Sequence, residues 1–170
     1  MVARIIGAIL VISSCFGLGI SVGCKMLKEI RVLDQWIRIL NRMQVELRYS
    51  LRSLPDLFRF LSHEEKGELA ELFLRIAIEM ENQIRPDVAR CIDAVLMSAG
   101  GIPESVIESI GLLGEELGKY DLDGQLVGIN NTRERAIEKR KLLNKDKVKR
   151  IRGYQTLGLC AGAALVILFI

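Results

Sequence analysis

The chain has 170 residues, of which 50% are hydrophobic and 26% charged, and its net charge is +3. The charged middle segment of the chain, residues 25–152, has the length of one domain. The composition excludes nucleic-acid binding, because no aromatic residues interleave the basic runs and no nucleic-acid-binding motif accompanies them. The four cysteines have neither redox nor metal-ligand spacing, which excludes a disulfide framework.

Two uncharged apolar runs bracket the chain, over residues 5–24 and 153–170. A hydrocarbon core about 30 Å thick needs roughly 20 helical residues, so both runs are long enough to span it, the second barely. We therefore predict a transmembrane helix at each end and a helical domain over residues 25–152. Since neither run contains a charge and two helices cannot enclose a pore alone, we expect no transport function.

Basic residues beside the two runs predict the orientation in the membrane. Lys25, Lys28 and Arg31 follow the first run. Five more precede the second run: Lys145, Lys147, Lys149, Arg150 and Arg152. On the terminal sides of the two runs, Arg4 is the only basic residue. The middle segment should therefore be cytoplasmic and both termini extracytoplasmic. The basic flanks would also attract anionic membrane lipid.

A lipoprotein is a competing interpretation of the N-terminal region. Residues 12–15, Ile-Ser-Ser-Cys, look like a lipobox, which would make Cys15 a lipidated N-terminus on an extracytoplasmic binding protein. However, the residues after Cys15 stay apolar, and the apolar stretch before the motif is only eight residues long, over 5–12. A membrane-anchored signalling scaffold is the other alternative, although no methylation or kinase-docking repeats are visible.

The first helix of the middle segment should continue directly from the first apolar run. Residues 25–50 contain neither proline nor glycine, and no alternating strand pattern occurs in the middle segment. The apolar residues have a 3-4 spacing, interrupted at Gln44, that predicts a seam for a partner helix. The seam residues are Ile30, Leu33, Ile37, Leu40, Leu47 and Leu51.

Two shorter helices should follow. Ser53, with the Leu-Pro-Asp sequence after it, has the capping hydroxyl, first-turn proline and carboxylate of a helix start, and this helix should end near residue 61. Ser62 and Glu65 have the spacing of a capping box for the next helix, which should end near residue 82.

Three further helices complete the middle segment. Pro86 opens the fourth, which Gly100 and its neighbouring glycine stop, and Pro103 opens the fifth, which Gly118 stops. The sixth begins near Asp121 and should run unbroken into the second apolar run. A second seam with a seven-residue spacing is predicted along it: Leu122, Ile129, Ala136 and Leu143.

These elements predict an all-α fold: a six-helix cytoplasmic bundle with two long antiparallel stem helices, flanked by an N-terminal and a C-terminal transmembrane helix. We expect the four short helices to form a lobe at the far end of the stems. Charge is divided accordingly. Residues 25–52 carry seven basic and three acidic residues, residues 53–127 carry six and 15, and residues 128–152 carry ten and three.

The sequence contains no motif that indicates an enzyme, a cofactor or a metal site. His63 is the only histidine and lies beside two glutamates, a combination typical of a surface turn. The excess of acidic residues in the lobe is typical of a solvated surface, and it is equally compatible with a docking face for a basic partner. Its candidate residues are Glu64, Glu65, Glu68, Glu71, Glu115, Glu116, Asp121 and Asp123.

Three short stretches, taken in order, carry a family resemblance over the whole chain. They are Ile-Ile-Gly-Ala at residues 5–8, residues 47–57 ending in Leu-Pro-Asp-Leu, and Leu117-Gly118 with Asp121 and Gln125. With the long basic helix and terminal apolar run that follow, they resemble the stage III sporulation protein AB family. The single domain of that family is similar to the six-helix cytoplasmic domain of type II secretion F proteins.

The resemblance implies a role in endospore formation, in the mother-cell membrane around the forespore. The expected partners are a cytoplasmic secretion-type ATPase and the other membrane proteins of the channel complex that connects the two cells. Secretion F proteins carry two such domains and three spans, whereas this chain has one domain and two spans. A complete platform would therefore require self-association or other proteins. The family assigns no catalytic residues.

Overall fold

The computed structural model describes the backbone of residues 2–50, 52–82 and 87–169, and the side chains of residues 24–50, 52–82, 87–145 and 156. In these residues the fold is all-helical, with six helices and no strand, which confirms the predicted class. The helices are α1 (Val2–Tyr49), α2 (Leu54–Glu64), α3 (Glu68–Glu81), α4 (Val88–Leu96), α5 (Glu104–Glu116) and α6 (Leu122–Phe169).

The chain divides into two compact units. One comprises Met1–Ile30 and Lys141–Ile170, and the other, which we call the bundle, comprises Arg31–Arg140. Among the residues whose side chains the structure describes, no helix has a stretch long and apolar enough to cross a membrane. The predicted spans, 5–24 and 153–170, lie outside those residues except for Cys24 and Thr156, so both spans stay predictions.

The two long helices confirm the predicted continuity. Helix α1 runs without a break from the first apolar run to Tyr49, and α6 begins at Leu122 and runs to Phe169. Each has 48 residues, which gives a length of about 72 Å at 1.5 Å per residue.

Within the bundle, α1 and α6 pair in antiparallel fashion. Arg140 Nη1 lies 2.7 Å from Asp34 Oδ1, and Arg133 Nη1 donates a hydrogen bond of 2.9 Å to Asn41 Oδ1. Further along, the Gln44 amide donates to the Leu126 carbonyl at 3.4 Å. Residue numbers fall on α6 as they rise on α1, which is the direction predicted for the two stems.

The predicted seams are largely buried, with one error on α6. Leu33, Leu40 and Leu47 are buried on α1, and Ile129 and Ala136 are buried on α6. Leu122, however, is 36% exposed, whereas Leu126 is buried. The reason is position: Leu122 is the first residue of α6, and Leu126, one turn further on, is where α6 meets Gln44 of α1. Leu143 is half-buried, and Leu51 lies outside the described residues.

A second face of α1 is buried that the predicted seam omits. Its fully buried residues are Trp36, Ile39 and Met43. The Trp36 indole N–H donates a 2.9 Å hydrogen bond to Ser109 Oγ of α5, and its ring centroid lies 6.1 Å from that of Phe73 on α3. Phe73 in turn lies 5.8 Å from Phe58 of α2. The short helices therefore pack along the side of α1, a placement that the predicted lobe at the far end of the stems did not specify.

One of the predicted helix starts is confirmed by its cap. Ser53 Oγ accepts from the Asp56 N–H at 3.4 Å, so α2 begins where predicted. Helix α4 begins at Val88, with Asp87 Oδ1 accepting from the Ala89 N–H at 3.4 Å; Pro86, predicted to open this helix, lies outside the described residues. After α5 the chain turns at Gly118, whose φ of 80° favours glycine over residues with a Cβ.

The predicted capping box at Ser62 is wrong. Helix α2 continues to Glu64, and the Ser62 hydroxyl donates to the Arg59 carbonyl at 2.7 Å, one turn back in the same helix. The residues that extend α2 past the serine are exposed, and one of them, Glu64, pairs with Arg42 of α1 at 2.9 Å. Helix α3 starts only after Gly67, where φ is 77°.

The burial of Leu40 predicts a large loss of stability on truncation. The Leu40→Ala variant should lose about 2–5 kcal/mol of unfolding free energy, because a buried leucine leaves a cavity that the surrounding helices fill only partly. Leu142→Ala is the matched control, since that side chain is 63% exposed. Urea unfolding of the full chain in detergent, followed by circular dichroism, measures both. Equal midpoints for the two variants would contradict the assigned core.

Candidate interaction surfaces

The predicted acidic docking residues fall into two groups. The first group, at the α2–α3 junction, is Glu64, Glu65, Glu68 and Glu71. The second group, at the α5–α6 junction, is Glu115, Glu116, Asp121 and Asp123. Glu65 contacts Gln35 of α1, whereas Asp123 lines a groove with Arg48 of the same helix. Since 13 helical residues separate these two contacts by about 20 Å, the groups are two surfaces and not one face.

Internal contacts already engage half of the first group. The Glu64 carboxylate lies 2.9 Å from the guanidinium of Arg42, which also lies 5.7 Å from the centre of the Phe60 ring. Glu65 accepts a 2.8 Å hydrogen bond from the side-chain amide of Gln35. These carboxylates attach the end of α2 to α1, so they stabilise the bundle and are not freely available to a partner.

The Glu68 carboxylate packs over Gly101, in the turn before α5. A Cβ at Gly101 would overlap that carboxylate, and the φ of 82° there disfavours any residue with a Cβ. In this group, only Glu71 is exposed without an ion pair in the part of the chain that the structure describes.

This contact predicts opposite tolerances at two adjacent glycines. Gly101→Ala should lower the unfolding free energy by about 1–2 kcal/mol, because the alanine is strained at positive φ and displaces the Glu68 carboxylate. Gly100→Ala should change it little, since a Cβ there meets nothing within 4 Å and the backbone is not in the left-handed region. Thermal melting of the full chain in detergent compares the two, and equal melting temperatures would exclude the contact.

The second group is also partly engaged. The Glu116 side chain packs against Gly128 of α6, and Asp121 Oδ1 accepts from the Gly124 N–H at 3.1 Å as a cap for α6. Glu115 and Asp123 are exposed, and neither makes an ion pair with a described residue.

Two surface groups have displaced pKa values. A hydrogen bond from Ser50, assisted by the Arg52 guanidinium at 2.9 Å, lowers the pKa of the Glu46 carboxyl below its ordinary value. The ion pair between α2 and α3 that joins Arg59 to Glu81 raises the pKa of the arginine. Both shifts favour the charge that each group already carries at neutral pH. Neither group is therefore poised for proton transfer.

Metal-ligating side chains are dispersed in the bundle. His63 lies in the last turn of α2, exposed, and not in a loop as predicted. In the part of the chain whose side chains are described, no three His, Cys, Asp or Glu residues form a group that could hold a metal ion.

The structure shows a surface that the sequence prediction missed, a groove between α1 and α6 of about 640 Å³. Its walls include Val45, Arg48 and Tyr49 of α1, and Asp123 and Val127 of α6. Val45, Tyr49 and Val127 are 53%, 76% and 60% exposed. Sequence offered one signal, because Val45 and Tyr49 are four residues apart and share a helix face that the buried seam does not use.

These features define an all-helical protein whose two long helices pair in antiparallel fashion within the bundle. The chain belongs to the stage III sporulation protein AB family, whose family model matches residues 4–170. This confirms the resemblance drawn from the sequence and assigns the chain a sporulation-related role. No curated protein and no solved structure shows a significant match to the chain.

Proposed function

We propose that this protein is a non-enzymatic membrane platform in the sporulation channel complex between mother cell and forespore. In this role it links a cytoplasmic secretion-type ATPase to membrane proteins of the channel. Family membership over residues 4–170 is the observation that carries the proposal. An uncharged apolar run at each end of an all-helical fold supports the membrane anchoring.

The continuity of the long helices supports a mechanical role. Each apolar run belongs to the same unbroken helix as one half of the α1–α6 pair in the bundle. In the described backbone, both connections are helical throughout. Such a design suits the transfer of movement from a soluble motor to membrane proteins.

The charge distribution supports docking of a basic partner. Residues 53–127, which include α2–α5, carry 15 acidic and six basic residues. Of the two acidic groups, Glu71 and Glu115 are the most available carboxylates on the short helices, because both are exposed and lack an ion pair among the described residues. Binding through such a surface is steered by long-range attraction and weakens as salt concentration rises.

Reversing these two charges should weaken binding of the ATPase. The Glu71→Lys/Glu115→Lys double variant should reduce recovery of the ATPase in a pull-down about tenfold, because rim charges typically contribute up to about 1 kcal/mol each. The control is Glu134→Lys/Glu138→Lys, which changes the net charge equally but on α6. Recovery equal to that of the unmodified chain, with both doubles still helical, would remove the short-helix carboxylates as the docking surface.

The proposed topology places the bundle in the cytoplasm. Lys66→Cys introduces a thiol at an exposed position between α2 and α3. A membrane-impermeant thiol reagent applied to intact cells should give no more labelling than the unmodified chain, and permeabilised cells should give strong labelling. Labelling from outside intact cells would reverse the topology and favour the lipoprotein alternative, in which Cys15 carries the lipid.

A further inference from the structure

The groove between α1 and α6 exposes apolar side chains on both of its walls. Val45 and Tyr49 stand on the α1 wall, and Val127 stands on the α6 wall, each more than half exposed. The groove lies within the bundle, on faces of α1 and α6 that the buried seam and the Trp36 contacts do not use. Exposed apolar side chains on both walls of one groove favour association with another protein.

The charges in the groove indicate what kind of protein would bind there. Arg48 lies on the α1 wall and Asp123 on the α6 wall, both exposed, and neither makes an ion pair with a described residue. One cation and one anion leave these walls neutral, so the groove favours neither a basic nor an acidic partner. A surface that bears both signs on opposite walls is instead complementary to itself.

We propose that this groove is the interface between two copies of the chain, related by a two-fold axis that runs along the groove. The antiparallel contacts Arg133–Asn41 and Gln44–Leu126 place Arg48 and Asp123 at the same level. A rotation of 180° about an axis along the groove leaves the position of each residue along that axis unchanged. It places the α1 wall of one copy opposite the α6 wall of the other. Arg48 of each copy then faces Asp123 of the other.

The same rotation sets the apolar residues against each other. Val45 of each copy faces Val127 of the other, so the centre of the interface is apolar and its charged pairs lie toward one end. This is an isologous contact, in which one surface serves both partners. The two copies are also parallel, as two chains anchored in one membrane must be; this last point rests on the proposed function, whereas the charge pairing does not.

A charge exchange between differently tagged copies tests the interface. Full-length chains carrying two different tags are co-expressed, extracted in detergent and purified through one tag, and the recovery of the other tag is measured. The chains compared are the unmodified chain, Arg48→Asp and Asp123→Arg. Arg90→Asp is the matched control, because it reverses an exposed arginine on α4, outside the groove.

Each groove variant should fail to pair with itself, because two like-charge contacts replace two attractive pairs. Recovery should fall about tenfold or more relative to the unmodified chain. Arg48→Asp co-expressed with Asp123→Arg should recover to within about twofold of the unmodified pair, since both contacts are again between opposite charges. Loss of stability cannot produce this rescue, because each chain keeps its own substitution. Arg90→Asp should pair normally.

Two results would overturn the proposal: self-pairing of either groove variant at the unmodified level, or no rescue in the mixed pair. These outcomes are independent of the ATPase pull-down. If the mixed pair is rescued and the Glu71→Lys/Glu115→Lys variant still recovers the ATPase fully, the groove interface stands and the docking surface is rejected. If the mixed pair is not rescued and that variant loses the ATPase, the docking surface stands and the groove interface is rejected.

Discussion

The bundle depends on α1 burying two faces at once. One face pairs with α6 through leucines such as Leu40, and the other carries Trp36 against α3 and α5. The second contact decides whether the short helices are held at all. They have 9 to 14 residues, and helices of that length are marginal alone in water, so their stability comes from packing on α1 and on one another. The indole N–H also requires a partner, because a buried unpaired donor costs about 1–3 kcal/mol, and Ser109 supplies it.

The acidic residues have two roles that the count of charges does not separate. Glu64 and Glu65 attach the end of α2 to α1, and Asp121 caps α6. Each such surface contact contributes little to the free energy of unfolding, but together they fix where helices begin and where they meet. The remaining exposed carboxylates, including Glu71 and Glu115, are those that the proposed basic partner would contact. A net charge therefore overstates the size of a docking surface whenever some carboxylates are structural.

The two proposed interaction surfaces would give the single domain a means to build a larger assembly. In these proposals, exposed carboxylates of the short helices bind a basic partner, and the α1–α6 groove binds a second copy. The proposed docking carboxylates Glu71 and Glu115 lie on α3 and α5, whereas the groove lies between α1 and α6. For a member of the stage III sporulation protein AB family, this separation would let one chain bind its neighbour and a cytoplasmic partner together.

Sequence alone determined the helical class, the continuity of both long helices, the cap at Ser53, and the family, since these depend on local spacing and on matches along the chain. Only the tertiary structure decided where the short helices pack, because a 3-4 pattern marks one face and Trp36 is buried on another. It also decided that Ser62 lies inside α2, where its hydroxyl donates to the Arg59 carbonyl of the same helix and caps no helix start. The exposure of the α1–α6 groove was likewise beyond the sequence, because Val45 has the chemistry of a core residue and only its neighbours leave it in solvent.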